Sequence, residues 1–157
     1  MRDRIEKKLK ELELELPRPQ KPSVAKILPY SFSGSLLFIS GQLPQWEGDV
    51  RFVGKLGVDL DLEQGKEAAR LSALNVLAQA KAALGGDLDR ISRIVKVSGF
   101  VNCSPDFAQV AEVVNGASEL FLHVLGGQGA HARVAVGAAS MPFGVAVEIE
   151  AIMEVLT

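Results

Sequence analysis

Arg133, Glu148 and Glu150 are the residues of this chain whose types and spacing could do chemistry together. Arg133 stands in the run HARVAV, where the alternation of an extended strand puts His131, Arg133, Ala135 and Gly137 on one face and Ala132, Val134, Val136 and Ala138 on the other. In the run that follows, Val145, Val147, Ile149, Ala151, Met153 and Val155 share one face, while Glu148 and Glu150 share the opposite one. Met141, Pro142, Phe143 and Gly144 carry a turn signal between the two runs. The expectation is an antiparallel hairpin over 131–155, with Arg133 and Glu148 on the same side of the sheet. A guanidinium holds a planar carboxylate by two parallel charge-assisted hydrogen bonds, and a carboxylate in a partly apolar cleft has its pKa lifted toward use as an acid or base. Such a pair could anchor a small carboxylic acid and handle a proton or a water beside it. It could equally be a structural ion pair of Arg133 with Glu148 or Glu150, and the residues alone leave both readings open.

The elements that must position these groups are read from periodicity. Ile5, Leu9, Leu12 and Leu16 recur at helical spacing, so a short amphipathic helix is expected over 3–16, followed by a proline-rich tether over 17–22. Residues 27–28 and 36–40 are strand candidates around the turn-prone SFSGS, and a further short strand is expected near 50–53. Asp61 with Gln64 makes a capping pattern for a helix whose Ala68, Leu71, Leu74, Leu77, Ala78 and Ala82 stripe should end at Gly85 and Gly86. A long central strand follows over 91–103, then a helix from a Ser104 N-cap to Leu125, closed by GGQG. The order of elements argues an α+β domain with two long helices covering one face of a mixed sheet. Lys96, Ser98, Phe100 and Asn102, with Ala135 and Ile152, are expected on the other face, too mixed for a monomer's core and too apolar for open water.

Composition narrows the class. At 157 residues with 48% apolar and 23% charged residues, the chain supports one packed domain, divided here into residues 1–22 and a main domain over 23–157. Seventeen basic against nineteen acidic residues give a net charge of −2, so no global field draws the protein to nucleic acid or to anionic lipid. Cys103 is alone, which excludes an intrachain disulfide and fits a reducing compartment. The charged N-terminus has no apolar leader core and no run reaches the roughly 18 apolar residues of a membrane span, so a cytosolic protein is expected. His123 and His131 are separated, with no partner at metal-ligand spacing, and are read as a helix residue and a rim residue. Trp46 reads as a packing residue.

Three separated motifs keep their order and spacing: LLFISGQLP at 36–44, the Asn-containing helix DFAQVAEVVNGASELF, and HARVAV followed by Pro142 and VEIEAI. Over about residues 29–156 the chain resembles the RidA (YjgF-like) enamine/imine deaminases, nearest the branch with a longer N-terminus. The resemblance implies a chorismate-mutase-like fold and a homotrimer in which three sheets form an inner barrel with sites at the subunit clefts. It also implies hydrolytic deamination of 2-imino and 2-enamino acids to 2-keto acids and ammonia, without metal or organic cofactor. Arg133 would anchor the substrate carboxylate and Glu148 would handle the water. Gly41 would bring its N–H close to the carboxylate, and the backbone carbonyl of Ala135, at a position usually held by Cys, would receive the imine nitrogen. Tyr30 and Asn115 match residues lining the cleft. On the residues alone Gly41 is as readily a strand-ending glycine and Asn115 a helix-surface amide. Relatives also carry the name of endoribonuclease or translation inhibitor, and a non-catalytic trimer that holds a small carboxylate is a third reading. Neither a His pair nor an Arg/Lys-aromatic stripe supports nucleic acid as a partner.

Overall fold

Alternation in the run that ends the sheet is what builds its centre. The computed structural model describes residues 3–157; Met1 and Arg2, the start of the expected 1–22 segment, lie outside them. In chain order the elements are α1 (Arg4–Glu11), β1 (Tyr30–Ser33), β2 (Leu36–Gln42), the short pair β3 (Gln45–Trp46) and β4 (Asp49–Val50), α2 (Leu62–Ala83), β5 (Ile91–Asn102), α3 (Val110–Leu125), β6 (Ala132–Ala138) and β7 (Val147–Val155). The large sheet runs β1-β2-β7-β5-β6. Val147, Ile149, Ala151, Met153 and Val155 are all buried, as their spacing predicts, because β7 sits between two antiparallel neighbours with α2 behind it. Among the described residues no helix is long and apolar enough to cross a membrane.

The expected hairpin over 131–155 does not form. β6 pairs parallel with β5, and β7 pairs with β5 on its other side, so β5 separates the two runs. The reason is α3, which is the crossover that a parallel pair requires and returns the chain to the outer side of β5. Residues 139–146 then cross the end of β5, where Asn102 fastens them: its backbone N–H donates to Ala146 O at 2.8 Å and its Nδ2 to Val145 O at 3.1 Å. Lys55 Nζ donates to Asn102 Oδ1 at 2.7 Å. Asn102 is thus buried under the crossing rather than displayed on the open face.

α2 and α3 both pack on one face of the sheet, as expected. Asp61 and Gln64 form the capping box, each backbone N–H donating to the other's side chain at 2.9 Å, and Gly85 and Gly86 follow the helix end with positive φ. α3 starts at Val110 instead of after Ser104, because the Ser104 carbonyl accepts from the Phe107 N–H at 3.1 Å and closes a turn first. Its seat is set by missing side chains. A Cβ on Gly116 would lie 2.1 Å from Lys66 O in α2, and one on Gly99 would lie 2.5 Å from Val114 Cγ2, so glycine is what lets α3 approach both α2 and β5.

At the N-terminus the helix is shorter than the expected 3–16, and its Ile5 and Leu9 enter the same core as the long helices. Asp89 caps α1 from a distance, accepting from the N–H groups of Arg4 at 2.8 Å and Ile5 at 2.9 Å. Desolvation opposes ionisation of Asp89, but those N–H groups and the Arg4 charge outweigh it and hold the pKa below the ordinary range. β1 begins at Tyr30, leaving Ile27 and Leu28 exposed outside it, and the turn before β2 shrinks to Gly34 and Ser35. The strand expected near 50–53 is reduced to β4.

The face of the sheet away from the helices carries Phe38, Phe100, Val134, Val136 and Ile152, with Phe38 39% and Val134 and Val136 each 42% exposed. Ala135 is not among them. Phe100 pairs with Val136 and Gly99 with Ala135, and one step of register reverses the face, so Ala135 points to the helices with Arg133.

Candidate functional site

Arg133 lies on β6 opposite Val97, on the helix side of the sheet. Its Nη1 donates to Asn115 Oδ1 at 2.7 Å and to Ser118 Oγ at 3.1 Å, and its Nη2 donates to Ala111 O at 3.3 Å. Asn115 and Ser118 are three apart on α3 and so share a helix face. Ser118 Oγ also meets His131 Nε2 at 2.9 Å, and His131 Nδ1 lies 2.6 Å from Gly129 O. A carbonyl only accepts, so Nδ1 carries the hydrogen and, in the neutral ring, Nε2 accepts the Ser118 hydroxyl. The chain of bonds therefore has one direction, from guanidinium to hydroxyl to imidazole to backbone. Every acceptor around Arg133 is neutral, and among the described residues no carboxylate forms an ion pair with it. A half-buried cation held in place without a counter-charge is suited to receive an anion.

Glu148 lies on β7 opposite Phe100, on the other face of the sheet. It packs against the bulge of β2 at Gly41, where a Cβ would fall 2.3 Å from Glu148 Oε2. Burial raises its pKa above the ordinary carboxylate range, and the neighbouring Glu150 raises it further. Gly41 and Glu148 share a cavity of about 500 Å³ with Leu43, Phe143 and residues of the N-terminal tether. Phe143 stands at its edge, 63% exposed and in a left-handed backbone conformation with φ 56°.

The expectation that Arg133 and Glu148 face the same side within one chain is therefore overturned. The parallel register of β6 turns Arg133 toward α3, and the antiparallel register of β7 turns Glu148 away from it. Two half-sites result. Asn115 and Ala135 lie with Arg133; Gly41 lies with Glu148. Tyr30 lies with neither: it pairs with Ile39, packs on the core and meets Phe32 edge-on at 6.4 Å. Sequence reasoning missed Ser118, although its spacing from Asn115 and the shared face of His131 and Arg133 were signals for it. It also missed the tether as a cavity wall, for which the sequence carries no local signal.

A family model described as "YjgF/chorismate mutase-like, putative endoribonuclease" matches residues 6–154. The chain belongs to the YjgF family. Protein TCP17 of Trypanosoma cruzi is 45% identical over 152 residues, spanning 96% of this chain and 94% of that one. The crystal structure of Atu1372 from Agrobacterium tumefaciens, a protein of unknown function, superposes with a TM-score of 0.91 at 48% identity, covering 98% and 94% of the two chains. E. coli TdcF, solved with bound serine, superposes with a TM-score of 0.63 at 26% identity, covering 91% and 97%. The mixed sheet with helices on one face is the YjgF fold, and the match over 6–154 takes in most of α1 as well as the strands that carry both half-sites.

Proposed function

We propose that this YjgF-family protein hydrolyses reactive 2-imino and 2-enamino acids to 2-keto acids and ammonia, in a cleft that two copies of the chain complete. The observation that carries the reading is the Arg133 guanidinium, held by Asn115, Ser118 and Ala111 with neutral acceptors only. Its charge is complementary to the carboxylate of such a substrate. The second copy supplies Gly41 and Glu148, where the raised pKa of Glu148 suits a group that passes a proton between water and the C=N bond. Water adds to the imine carbon, the nitrogen takes up protons, and the C–N bond breaks as ammonia leaves and the carbonyl forms. No metal or organic cofactor enters these steps. The bound serine of TdcF supports a pocket sized for an amino-acid-like carboxylate in a relative.

Association into a homotrimer covers Phe38, Phe100, Val134, Val136 and Ile152 on the open face and brings the half-sites together. Cys103, unpaired, fits a cytosolic setting. The test is complementation. Arg133→Ala and Glu148→Gln are each inactive alone on 2-iminopropanoate, but refolded together in equal amounts they regain activity, because statistical mixing in a closed ring makes about one site in four whole. Mixtures that stay as inactive as their components refute the shared cleft. RNA cleavage, the activity the family description names, is the second reading; salt-sensitive RNA binding, with cleavage lost in Arg133→Ala, would replace the first.

A further inference from the structure

The tether between α1 and β1 crosses the mouth of the Glu148 cavity. It is pinned at both ends. Arg18 donates to the Glu47 carboxylate at 2.8 Å and the buried Gln79 donates to Gln20 O at 2.7 Å; beyond the crossing, Ser40 Oγ donates to Leu28 O at 2.6 Å. Between these points residues 21–27 take part in no hydrogen bond among the described residues, and Val24, Ala25 and Ile27 line the cavity together with Leu43 and Phe143. Val24 is 73% and Ile27 57% exposed, so the wall presents apolar surface that an occupant of the cavity would cover.

We infer that residues 21–27 are the side-chain specificity wall of the cleft, and that they select 2-imino and 2-keto acids with branched aliphatic or aromatic side chains. The inference rests on the proposed reading of the site for where the substrate sits, with its C=N or C=O carbon beside Gly41 and Glu148. For a substrate held at Gly41 and Glu148, the cavity those residues share with the tether offers the side chain a place to bind. The charged residues of that lining are Lys21 and Glu148; Val24, Ala25, Ile27, Leu43, Pro142 and Phe143 give it its apolar surface, beside the polar Gln20, Ser23, Ser40, Gln42 and Gln45. Size argues the same way. At the ~30 Å³ that a water molecule occupies in the liquid, the six non-hydrogen atoms of 2-iminopropanoate fill only about a third of the roughly 500 Å³ present. The rest is room for a side chain. Each buried CH₂ contributes a factor of about four in affinity, and the isobutyl group of 2-oxo-4-methylpentanoate carries three carbons more than the methyl of pyruvate. Since the cavity is open on one side, the expected advantage is about tenfold rather than the full product.

The experiment is titration calorimetry of the full chain with pyruvate and with 2-oxo-4-methylpentanoate, repeated on the double variant Val24→Ser, Ile27→Ser. Both positions are exposed, and a thermal melt followed by circular dichroism checks that the variant folds. The wild type is expected to prefer the branched acid about tenfold, and the variant to bind both within about threefold while its affinity for pyruvate is unchanged. Equal affinities in the wild type, no binding of either acid, or a preference that survives in the variant overturns the inference. Turnover of the matching imines is measured on the same samples and separates the two ideas. Branched-acid preference without hydrolysis leaves the wall standing and removes the deaminase; equal binding and turnover of both sizes leaves the deaminase and removes the wall.

Discussion

Gly41→Ala should separate activity from stability more cleanly than any change at a charged residue. The new Cβ would sit 2.3 Å from Glu148 Oε2, 2.7 Å from its Cδ and 2.9 Å from its Cγ. Carbon and oxygen tolerate little below ~3.5 Å, so the carboxylate must retreat by about 1 Å. A displacement of that size at a reacting group costs on the order of 100-fold in rate. The fold should hardly notice: Gly41 has no positive φ, the atoms that must move are the end of a flexible side chain, and replacing Gly by Ala at a compatible position stabilises by ~0.4–1 kcal/mol through the unfolded state. We expect kcat/KM on an imine generated in situ to fall about 100-fold while the thermal midpoint stays level or rises. Gly116→Ala is the contrasting control. Its Cβ meets the Lys66 backbone carbonyl at 2.1 Å, which cannot swing aside, so it should lose ~1–3 kcal/mol in urea denaturation. If Gly41→Ala keeps full activity, Glu148 does not work from the position it holds against Gly41. If activity and stability fall together, the contact is structural instead.

Two further outcomes follow from the half-sites. Glu148 has a folded pKa above its unfolded value of about 4.3, so the folded chain keeps its proton to higher pH and stability falls as pH rises through the raised folded pKa. Glu148→Gln should accordingly be more stable than the wild type at pH ~7 and indistinguishable below pH ~4, checked by urea midpoints across that range. Ser118→Ala removes one of the hydrogen bonds to Arg133 and frees His131 Nε2, and should raise KM about tenfold with kcat less affected. A fall in kcat at constant KM would place Ser118 in the chemical step rather than in holding the cation.

Faces were legible in the sequence where a period was strict, and neighbours were not. The alternation of Val147, Ile149, Ala151, Met153 and Val155 assigns the core side of β7 without help from the rest of the chain, and Asp61 with Gln64 announces the start of α2 through bonds made within one turn. Pairing order is different in kind. That β6 leaves β7 and joins β5 depends on α3 lying close enough to β5 to act as a crossover, which rests on Gly99 and Gly116, residues with no period to read. Ala135 was assigned to the open face because parity between two strands needs their register, and the register comes from the pairing. Ser104 before Pro105 has the chemistry of a cap, yet its carbonyl is taken by a turn. For the candidate site, Arg133, Glu148, Gly41 and Asn115 were visible while Ser118 and the tether were not, and the division into two halves was a property of topology.

β7 comes after every other strand in the chain and yet occupies the middle of the sheet. A ribosome delivers β1, β2, β5 and β6 first, in two pairs with no bond between them, since β2 and β5 are joined only through β7. Until residues 147–155 emerge, the nascent chain holds a hairpin and a parallel pair whose facing edges are open. β7 is therefore the strand that closes the sheet: without it β2 and β5 each keep an open edge, and only the packing of α2 on β2 and on α3 holds the two strand pairs together.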